Sequence, residues 1–377
     1  MQVNGLFLAF ATTAVLAVCA SADTGRFIQP SQIALNGTFN TGVVLADFNG
    51  DGKQDLAVTL DFTDVVQVAL GTGNGFGPVV NYATGGGPFG IAVADFNRDG
   101  KLDIVTANYD DTNTVSVLLG NGDGTFQPPI NYSLGKSVTN LVVADFNGDG
   151  TPDVALGSGQ FYNDISVSVL VGNGDGTFRA GPTLGHAGPA LAAGDVNGDG
   201  KIDLVAGSAA SVQVFLGKGD GNFQQSVSYT TSGMTFHLAL ADFNHDGKLD
   251  IVTVAFYKGL ASVLLGNGNG TFQTRVDYGI VAFSASLAVT DLDGDGHPDL
   301  LTGSGAGLSV LLGNGDGTLR RQTLYGGFPE PTAIATGDVN GDGQTDVVTV
   351  NNNNTYSYAS LLINTGFGKL LAAPEYD

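Results

Sequence analysis

Cysteine is almost absent from this chain: among 377 residues there is a single one, Cys19. One thiol forms no intramolecular disulfide, so an extracellular form of this protein must be braced in another way. Neither His nor Cys recurs at regular intervals, which argues against structural zinc. Tryptophan is missing altogether. Because Trp is a favoured stacking ring, its absence weakens a sugar-binding hypothesis without excluding it, since Tyr and Phe also stack.

Basic residues are scarce as well. Lys and Arg together number 14 against 36 Asp and Glu, and the formal net charge is −22. A chain with this balance and no basic patch is not expected to bind nucleic acid. Beyond the first 20 residues, no apolar run is long enough to suggest a membrane span.

The N-terminal segment differs from the rest of the chain. Residues 6–20 are uncharged and mostly apolar, and a small-x-small pattern typical of a cleavage site ends at Ala22. This pattern predicts a secretory signal peptide over residues 1–22 and a secreted, extracellular mature chain over residues 23–377. Lipid attachment at Cys19 is the alternative, and it would anchor the protein at the cell surface.

An acidic motif, Asp-x-Asn/Asp-x-Asp-Gly-x-x-Asp, occurs seven times at intervals of 47 to 50 residues. Its first, third, fifth and ninth positions all carry side-chain oxygens. The Gly at position six lets the backbone curl inward, and position seven would offer its carbonyl oxygen. These ligands suit Ca²⁺ better than Mg²⁺, which demands a stricter octahedron. We therefore predict about seven Ca²⁺ ions. The predicted metal ligands are Asp47, Asn49, Asp51 and Asp55; Asp95, Asn97, Asp99 and Asp103; Asp145, Asn147, Asp149 and Asp153; Asp195, Asn197, Asp199 and Asp203; Asp242, Asn244, Asp246 and Asp250; Asp291, Asp293, Asp295 and Asp299; and Asp338, Asn340, Asp342 and Asp346.

An EF-hand begins with the same spacing, but it needs a Glu at position twelve and flanking helices. Position twelve is Val58 in the first copy and Thr106 in the second, and the flanks are short and rich in Val. The loop is therefore predicted to join two strands. Metal-free turns are the simpler alternative, although a turn needs only one or two such polar residues. The motifs hold 22 of the 36 acidic residues. Seven bound Ca²⁺ ions would add +14 to the net charge of −22 and leave −8.

A second element recurs downstream of each acidic loop. In the second unit it runs from Val115 to Phe126 and consists of an apolar run, Asn-Gly-Asp-Gly and an aromatic residue. This is a β-hairpin pattern, and we interpret the tip residues as turn residues rather than metal ligands. The tip residues with a carboxylate are Asp123, Asp175, Asp220 and Asp316.

Each unit therefore holds four strands, and seven such units predict an all-β fold, a seven-bladed β-propeller of four-stranded antiparallel blades. A linear β-solenoid is the structural alternative, but it would not need one hairpin per unit. Residues 26–33 and residues 369–376 both look like an outermost strand. The sequence does not decide which of them closes the ring.

With these motifs the chain resembles the FG-GAP/VCBS repeat family, which also builds the propellers of integrin α-subunits, over about residues 26–377. The resemblance implies a seven-bladed propeller and a ligand role for the Asp and Asn at positions one, three, five and nine. Phe89-Gly90 keeps the Phe-Gly pair, but the Gly-Ala-Pro element is replaced, for example by residues 108–110. No integrin-type partner or adhesion site follows from it. Some relatives look like lectins, some like adhesion modules and some are attached to enzymes.

A ligand is expected on the face opposite the acidic loops, where the connections differ from unit to unit. Their rings and amides suit sugars or peptides, and solvated loop filler is the alternative. The candidates are Asp61, Phe62, Asp64, Asn108, Tyr109, Asp110, Phe161, Tyr162, Asn163, Phe256, Tyr257, Lys258, Asn354 and Tyr356.

Catalysis has little support in the sequence. The four His residues offer no triad, and the acidic pairs that a glycosidase would use are already assigned to metal. We expect a non-enzymatic, monomeric recognition or adhesion module for a glycan or an extracellular protein. The alternatives are a polysaccharide-degrading lyase or hydrolase on the same scaffold and a purely structural surface protein.

Overall fold

The computed structural model describes residues 31–372 except 36, 38–39, 111–112, 159–164, 186, 327–330, 353–356 and 367. Within these residues the regular structure is 29 β-strands and one short 3₁₀ turn, Asp61–Thr63. The predicted signal peptide over residues 1–22 and Cys19 lie outside the described residues.

Four consecutive strands form each of the first four blades, and all neighbouring strands are antiparallel. Strand β1 (Ser31–Leu35) precedes them. The strands of these blades are β2 Asn40–Ala46, β3 Asp55–Leu60, β4 Val65–Gly71 and β5 Phe76–Ala83; β6 Pro88–Ala94, β7 Asp103–Asn108, β8 Thr114–Leu118 and β9 Ile130–Ser133; β10 Val138–Ala144, β11 Asp153–Ser158, β12 Ser166–Gly172 and β13 Phe178–Gly185; and β14 Leu191–Gly194, β15 Asp203–Gly207, β16 Ser211–Phe215 and β17 Val227–Thr230.

Blades five and six repeat this order, and the seventh contributes the last strands of the chain. These strands are β18 Thr235–Ala241, β19 Asp250–Ala255, β20 Leu260–Leu264 and β21 Val276–Gly279; β22 Ser286–Thr290, β23 Asp299–Ser304, β24 Gly307–Leu311 and β25 Thr323–Tyr325; and β26 Pro331–Gly337, β27 Asp346–Asn352, β28 Ser357–Asn364 and β29 Leu370–Ala372.

The second strand of each blade begins at the ninth position of an acidic motif and is buried on both faces. Its apolar residues therefore pack against both neighbouring blades, which explains why the sequence shows a continuous apolar run instead of alternation. The first strands line the axis, and β2 packs against both β6 and β26. The two ends of the array thus meet. The predicted all-β seven-bladed propeller is confirmed, and the solenoid alternative is wrong.

The described parts of both candidate closing segments pair with the seventh blade. Strand β1 runs antiparallel to the first part of β28, where Ile33 faces Ala359. Strand β29 runs antiparallel to the last part of β28, where Leu371 faces Ile363. The outermost position of this blade is therefore shared by the two ends of the chain, one after the other along β28. The sequence could not decide between them because both are used.

A narrow cavity of about 150 Å³ lies on the axis, lined by the first strands of six blades. The Thr41 hydroxyl shares its one proton between the Pro88 and Phe89 carbonyl oxygens of the neighbouring blade's first strand, at 2.9 and 3.0 Å. His237 is the one titratable side chain among the described residues of this lining. Burial lowers the pKa of His237 to about 4, because the charged imidazolium loses its hydration.

Replacement of His237 by Gln should make the fold less sensitive to acid. His237 is neutral in the folded protein, and its folded pKa lies below its unfolded value. Its contribution to stability is therefore complete above about pH 6.5 and is lost as the pH falls towards 4. We expect the free energy of unfolding in urea to fall less between pH 7 and pH 4.5 in the variant than in the wild type.

Because both proteins carry the same carboxylates, the difference between their two pH slopes isolates the histidine. Equal slopes would show that His237 is not desolvated on the axis.

Candidate metal loops

The first carboxylate of each motif organises its loop. In the first blade, Asp47 Oδ1 accepts hydrogen bonds from the backbone N–H groups of Gly50 and Asp51, at 2.7 and 3.1 Å. Its Oδ2 accepts from Gly52 N–H at 2.8 Å. The same bond to the position-six Gly N–H recurs in every copy. The loop therefore curls around its own first side chain without help from another segment.

Positions three and five continue the curl. Asn49 Oδ1 accepts from Asp51 N–H at 2.9 Å, and Asp51 Oδ1 accepts from Lys53 N–H at 3.0 Å. The backbone at position four has a positive φ, and five of the seven copies have Gly there. Arg98 and His245 occupy it in the other two, with φ of 59° and 56°. Their long side chains then reach the loop of the next blade: Arg98 donates to the Asp149 carbonyl oxygen, and His245 Nε2 lies 2.6 Å from His297 Nδ1.

Position nine has a role that the sequence analysis missed. Asp55 is fully buried, and its Oδ2 accepts a hydrogen bond from Phe48 N–H, at position two of the loop, at 2.8 Å. Its Oδ1 accepts from Gly71 N–H, at the end of the third strand, at 2.7 Å. All seven position-nine carboxylates make this pair of bonds, at 2.7 to 3.0 Å. The equivalents are Asp103, Asp153, Asp203, Asp250, Asp299 and Asp346.

Six of the seven blades have a glycine where the third strand meets this carboxylate. A Cβ on Gly120 would lie 2.2 Å from the Leu102 carbonyl oxygen, and one on Gly71 would lie 2.3 Å from that of Gln54. The seventh blade places Asn364 there, whose Nδ2 donates to the Leu292 carbonyl oxygen of the sixth blade's loop at 2.5 Å.

Burial at position nine opposes the charged form of the carboxyl group. It raises the pKa of Asp103 and of Asp299 to about 6, against the two backbone N–H donors, which lower it. Negative charge on the other acidic residues of each loop raises it further. A cation in the loop would relieve both unfavourable terms, since opposite charge favours the ionised form.

The sixth copy brings three predicted ligands together. Asp291, Asp293 and Asp299 each present a carboxylate oxygen, and these oxygens lie within 4.8 Å of one another. Among the described residues, this is the one cluster in which three acidic, His or Cys side chains lie that near to one another. It is also the copy with Asp instead of Asn at position three, so the other six offer an amide oxygen there.

Position-five carboxylates form ion pairs with basic side chains in several copies. Asp51 Oδ2 lies 3.2 Å from the Lys53 ammonium group, and Asp246 lies 3.1 Å from that of Lys248. Asp99 and Asp199 have Lys partners at 3.7 and 3.6 Å. The structure thus gathers positions one, three and nine in its sixth copy. It places a basic side chain within 3.7 Å of the position-five carboxylate in that copy and in five others.

The hairpin tips connect neighbouring blades, which the sequence analysis also missed. Gly124 N–H in the second blade donates to the Phe48 carbonyl oxygen, at position two of the first blade's loop, at 3.2 Å. Phe126 of the same hairpin packs edge-on against Phe48 and Tyr82, with ring centroids 5.3 and 5.2 Å apart. The hairpin-to-loop bond recurs from the second to the sixth blade. Asp123 Oδ1 accepts from Thr125 N–H and Oγ1, as the turn interpretation of the tips predicts.

The opposite face carries the connections after each second and fourth strand, because antiparallel strands place alternate connections at opposite ends of a blade. Phe62 and Tyr257 are exposed there, at 59% and 57%. Phe283, which the sequence analysis did not select, is 57% exposed, and its ring centroid lies 6.0 Å from that of Tyr257. Of the predicted recognition residues, the following lie outside the described residues: Phe161, Tyr162, Asn163, Asn354 and Tyr356.

Asn108 is a correction to the predicted recognition surface. It is fully buried, and its Nδ2 donates to Ser116 Oγ at 2.8 Å and to Thr114 Oγ1 at 3.0 Å. Its Oδ1 accepts from Thr106 Oγ1 at 2.8 Å. The side chain therefore completes hydrogen bonds inside the second blade, where a buried amide would be costly without partners.

A family model for the FG-GAP-like repeat matches five segments, residues 47–106, 95–156, 195–253, 254–302 and 291–349. The chain belongs to the FG-GAP-like repeat family. Four of the five segments begin at the first Asp of an acidic loop, so the matched repeat and the acidic loop coincide. The resemblance drawn from the motifs is thereby confirmed. FG-GAP repeats generally bind calcium and are typically extracellular.

Solved structures with a similar fold are distant in sequence. A BBS1N chain from a complex with ARL6DN, soaked with lead, has a TM-score of 0.61 and 10% identity, covering 90% of this chain and 100% of that one. The mercury-soaked form has a TM-score of 0.60 and 11% identity, covering 91% of this chain and 100% of that one. An Agrocybe aegerita lectin specific for non-reducing terminal N-acetylglucosamine shares 22% identity over 90% of this chain and 79% of its own, with a TM-score of 0.41. No curated protein matches the chain in sequence.

Among the described residues, no helix is long and apolar enough to cross a membrane.

Loss of the position-nine carboxylate should destabilise the fold even without metal. Replacing Asp153 by Ala leaves two buried N–H groups, of Phe146 and Gly172, without an acceptor. An unsatisfied buried donor costs about 1–3 kcal/mol, so we expect the free energy of unfolding to fall by roughly 2–5 kcal/mol. Urea denaturation in excess chelator measures it.

The matched control is Asp175→Ala in the same blade, at an exposed hairpin tip. It should change the unfolding free energy far less. Similar losses in the two variants would contradict the structural role of position nine.

Proposed function

We propose that this protein is a secreted Ca²⁺-binding propeller that recognises a glycan or an extracellular protein, and that it is not an enzyme. The observation that carries the metal assignment is the acidic loop repeated seven times, whose sixth copy brings carboxylate oxygens of Asp291, Asp293 and Asp299 within 4.8 Å of one another. Membership of the FG-GAP-like repeat family supports it.

Charge favours a hard cation in these loops. Each loop holds at least three carboxylates, one of them fully buried, while basic side chains such as Lys53 are exposed and pair with position five. Oxygen-only ligands in an irregular arrangement suit Ca²⁺. The ion would neutralise the loop and hold the first strand to the second, so its role is structural, and all seven sets of predicted ligands would take part in it.

The recognition assignment comes from the contrast between the two faces. The acidic-loop face repeats the same contacts from blade to blade, so it presents nearly the same chemistry around the ring. The opposite face differs at every blade, and it exposes rings such as Phe62, Tyr257 and Phe283. Exposed aromatic side chains supply contact area to sugars and peptides at low cost in conformational entropy.

Added Ca²⁺ should raise the thermal midpoint of unfolding. With dissociation constants of about 10⁻⁴–10⁻³ M, typical of extracellular modules, 5 mM Ca²⁺ stabilises by roughly 1–2 kcal/mol per occupied loop. Differential scanning calorimetry in chelator and in Ca²⁺ measures the shift, with Mg²⁺ as the ion control. The same midpoint in chelator and in Ca²⁺ would refute the metal assignment.

A variant pair locates the ion. Asp145→Asn at position one should reduce the Ca²⁺-dependent shift, while Asp175→Asn at the hairpin tip of the same blade should leave it unchanged.

The ligand class can be tested with the Ca²⁺-loaded chain on arrays of glycans and extracellular proteins. Binding should weaken in Tyr257→Ser and persist in Asp123→Asn, which alters the opposite face. Incubation with polysaccharides should produce no new chain ends. Turnover would instead support a lyase or hydrolase, and neither binding nor turnover would support a structural surface protein.

A further inference from the structure

Two connections on the face opposite the acidic loops meet between the first and second blades. Asp61 begins the short turn after β3, and Asp110 follows β7. The link from β5 to β6 passes between them: Tyr109 N–H donates to the Gly87 carbonyl oxygen at 3.0 Å, and Asp110 N–H donates to that of Gly86 at 3.4 Å. None of these residues belongs to an acidic loop.

The carboxylates of these connections converge over one glycine. A Cβ on Gly87 would lie 2.9 Å from Asp110 Oδ1 and 3.1 Å from Asp61 Oδ1. The two oxygens therefore flank the same point from two different blades. A third carboxylate, that of Asp64, accepts a hydrogen bond from Gly87 N–H at 2.9 Å, so it lies on the same glycine.

Asp61 is the member of this group that needs a partner. Its residue is only 7% exposed, and among the described residues no N–H or O–H group donates a hydrogen bond to its carboxylate and no basic side chain forms an ion pair with it. Burial, followed by the negative charges of Asp110 and Asp64, raises the pKa of Asp61 to about 6. A buried carboxylate that lacks donors and faces like charges is unfavourable unless a positive charge joins it.

We propose that Asp61 and Asp110 bind a Ca²⁺ ion above Gly87, at a site separate from the seven acidic loops. Carboxylate oxygens from two connections suit a hard divalent cation. The ion would supply the missing counter-charge to Asp61. It would also join the connection after β3 in the first blade to the connection after β7 in the second. The proposal does not depend on whether the acidic loops bind Ca²⁺.

This site would differ from the repeated loops in how much of the ion it leaves open. Ca²⁺ takes 6–8 oxygen ligands, and the two carboxylates supply only part of that number. Asp110 and Asp64 are exposed on the outer side of the group. The remaining coordination positions therefore face solvent on the irregular face, where water or the hydroxyl and carboxylate groups of a ligand can occupy them.

Ion counting tests the proposal. Equilibrium dialysis with ⁴⁵Ca²⁺ on the full chain should give one ion fewer for the double variant Asp61→Asn, Asp110→Asn than for the wild type. Asp277→Asn is the matched control, because Asp277 pairs with Arg275 at 3.0 Å on another part of the surface, and it should leave the count unchanged. Equal counts for wild type and double variant would overturn the proposal.

The position of the ion can be measured directly. Crystals soaked in Tb³⁺ should show an anomalous peak between Asp61 and Asp110 in the wild type and none there in the double variant. The absence of a wild-type peak would overturn the proposal. The exposed single variant Asp110→Asn gives the same count test if the double variant folds poorly, as judged by circular dichroism in chelator.

Failure of this proposal is distinguishable from failure of the metal loops. Seven ions in both proteins would remove the Asp61 site and leave the repeated loops intact. One ion in the wild type and none in the double variant would support the Asp61 site and show that the repeated loops bind no Ca²⁺.

Discussion

The buried carboxylate at position nine of each motif is the contact on which the rest of the blade depends. One of its oxygens holds the start of the acidic loop and the other holds the end of the third strand, so a single side chain fixes three of the four strands relative to one another. The loop it anchors then presents its position-two carbonyl oxygen to the hairpin of the next blade. The loop that is held by a hydrogen bond inside one blade thus also contacts the next blade. The same contact recurs from the second to the sixth blade.

Much of this fold could be predicted from the sequence because its information is local and repeated. The spacing of the acidic motif gave the number of blades, and the Asn-Gly-Asp-Gly tips such as the one at Asp123 gave the hairpins; both are confirmed. What the sequence could not show lies in contacts between distant segments. The acceptor role of Asp55, the bond from Gly124 to Phe48 and the burial of Asn108 all depend on which chain segment comes to lie opposite. The orientation of Asp51 towards Lys53 was likewise hidden, since a ligand pattern does not say which way a side chain turns.

The two faces of the ring differ in how many of their contacts are repeated from blade to blade. On the acidic-loop face the same contacts recur: the position-one carboxylate bonds to its own loop, position nine to two strands, and the hairpin tips of blades two to six to the preceding blade. A substitution there disturbs packing in two blades, which leaves little room for variation between copies. The connections on the opposite face make contacts that differ from blade to blade. They can differ in length and chemistry, from the carboxylates around Gly87 to the rings of Phe256, Tyr257 and Phe283, without altering the blades beneath them.

The division of the last blade between both ends of the chain has a consequence for the order of assembly during synthesis. Blades one to six are each contiguous in sequence, so the strand pairs within each of them join neighbouring segments of the chain. Strand β1 precedes its partner β28 by more than 300 residues. The outermost edge of the seventh blade therefore stays open until β28 has been made, and the ring closes in one long-range step.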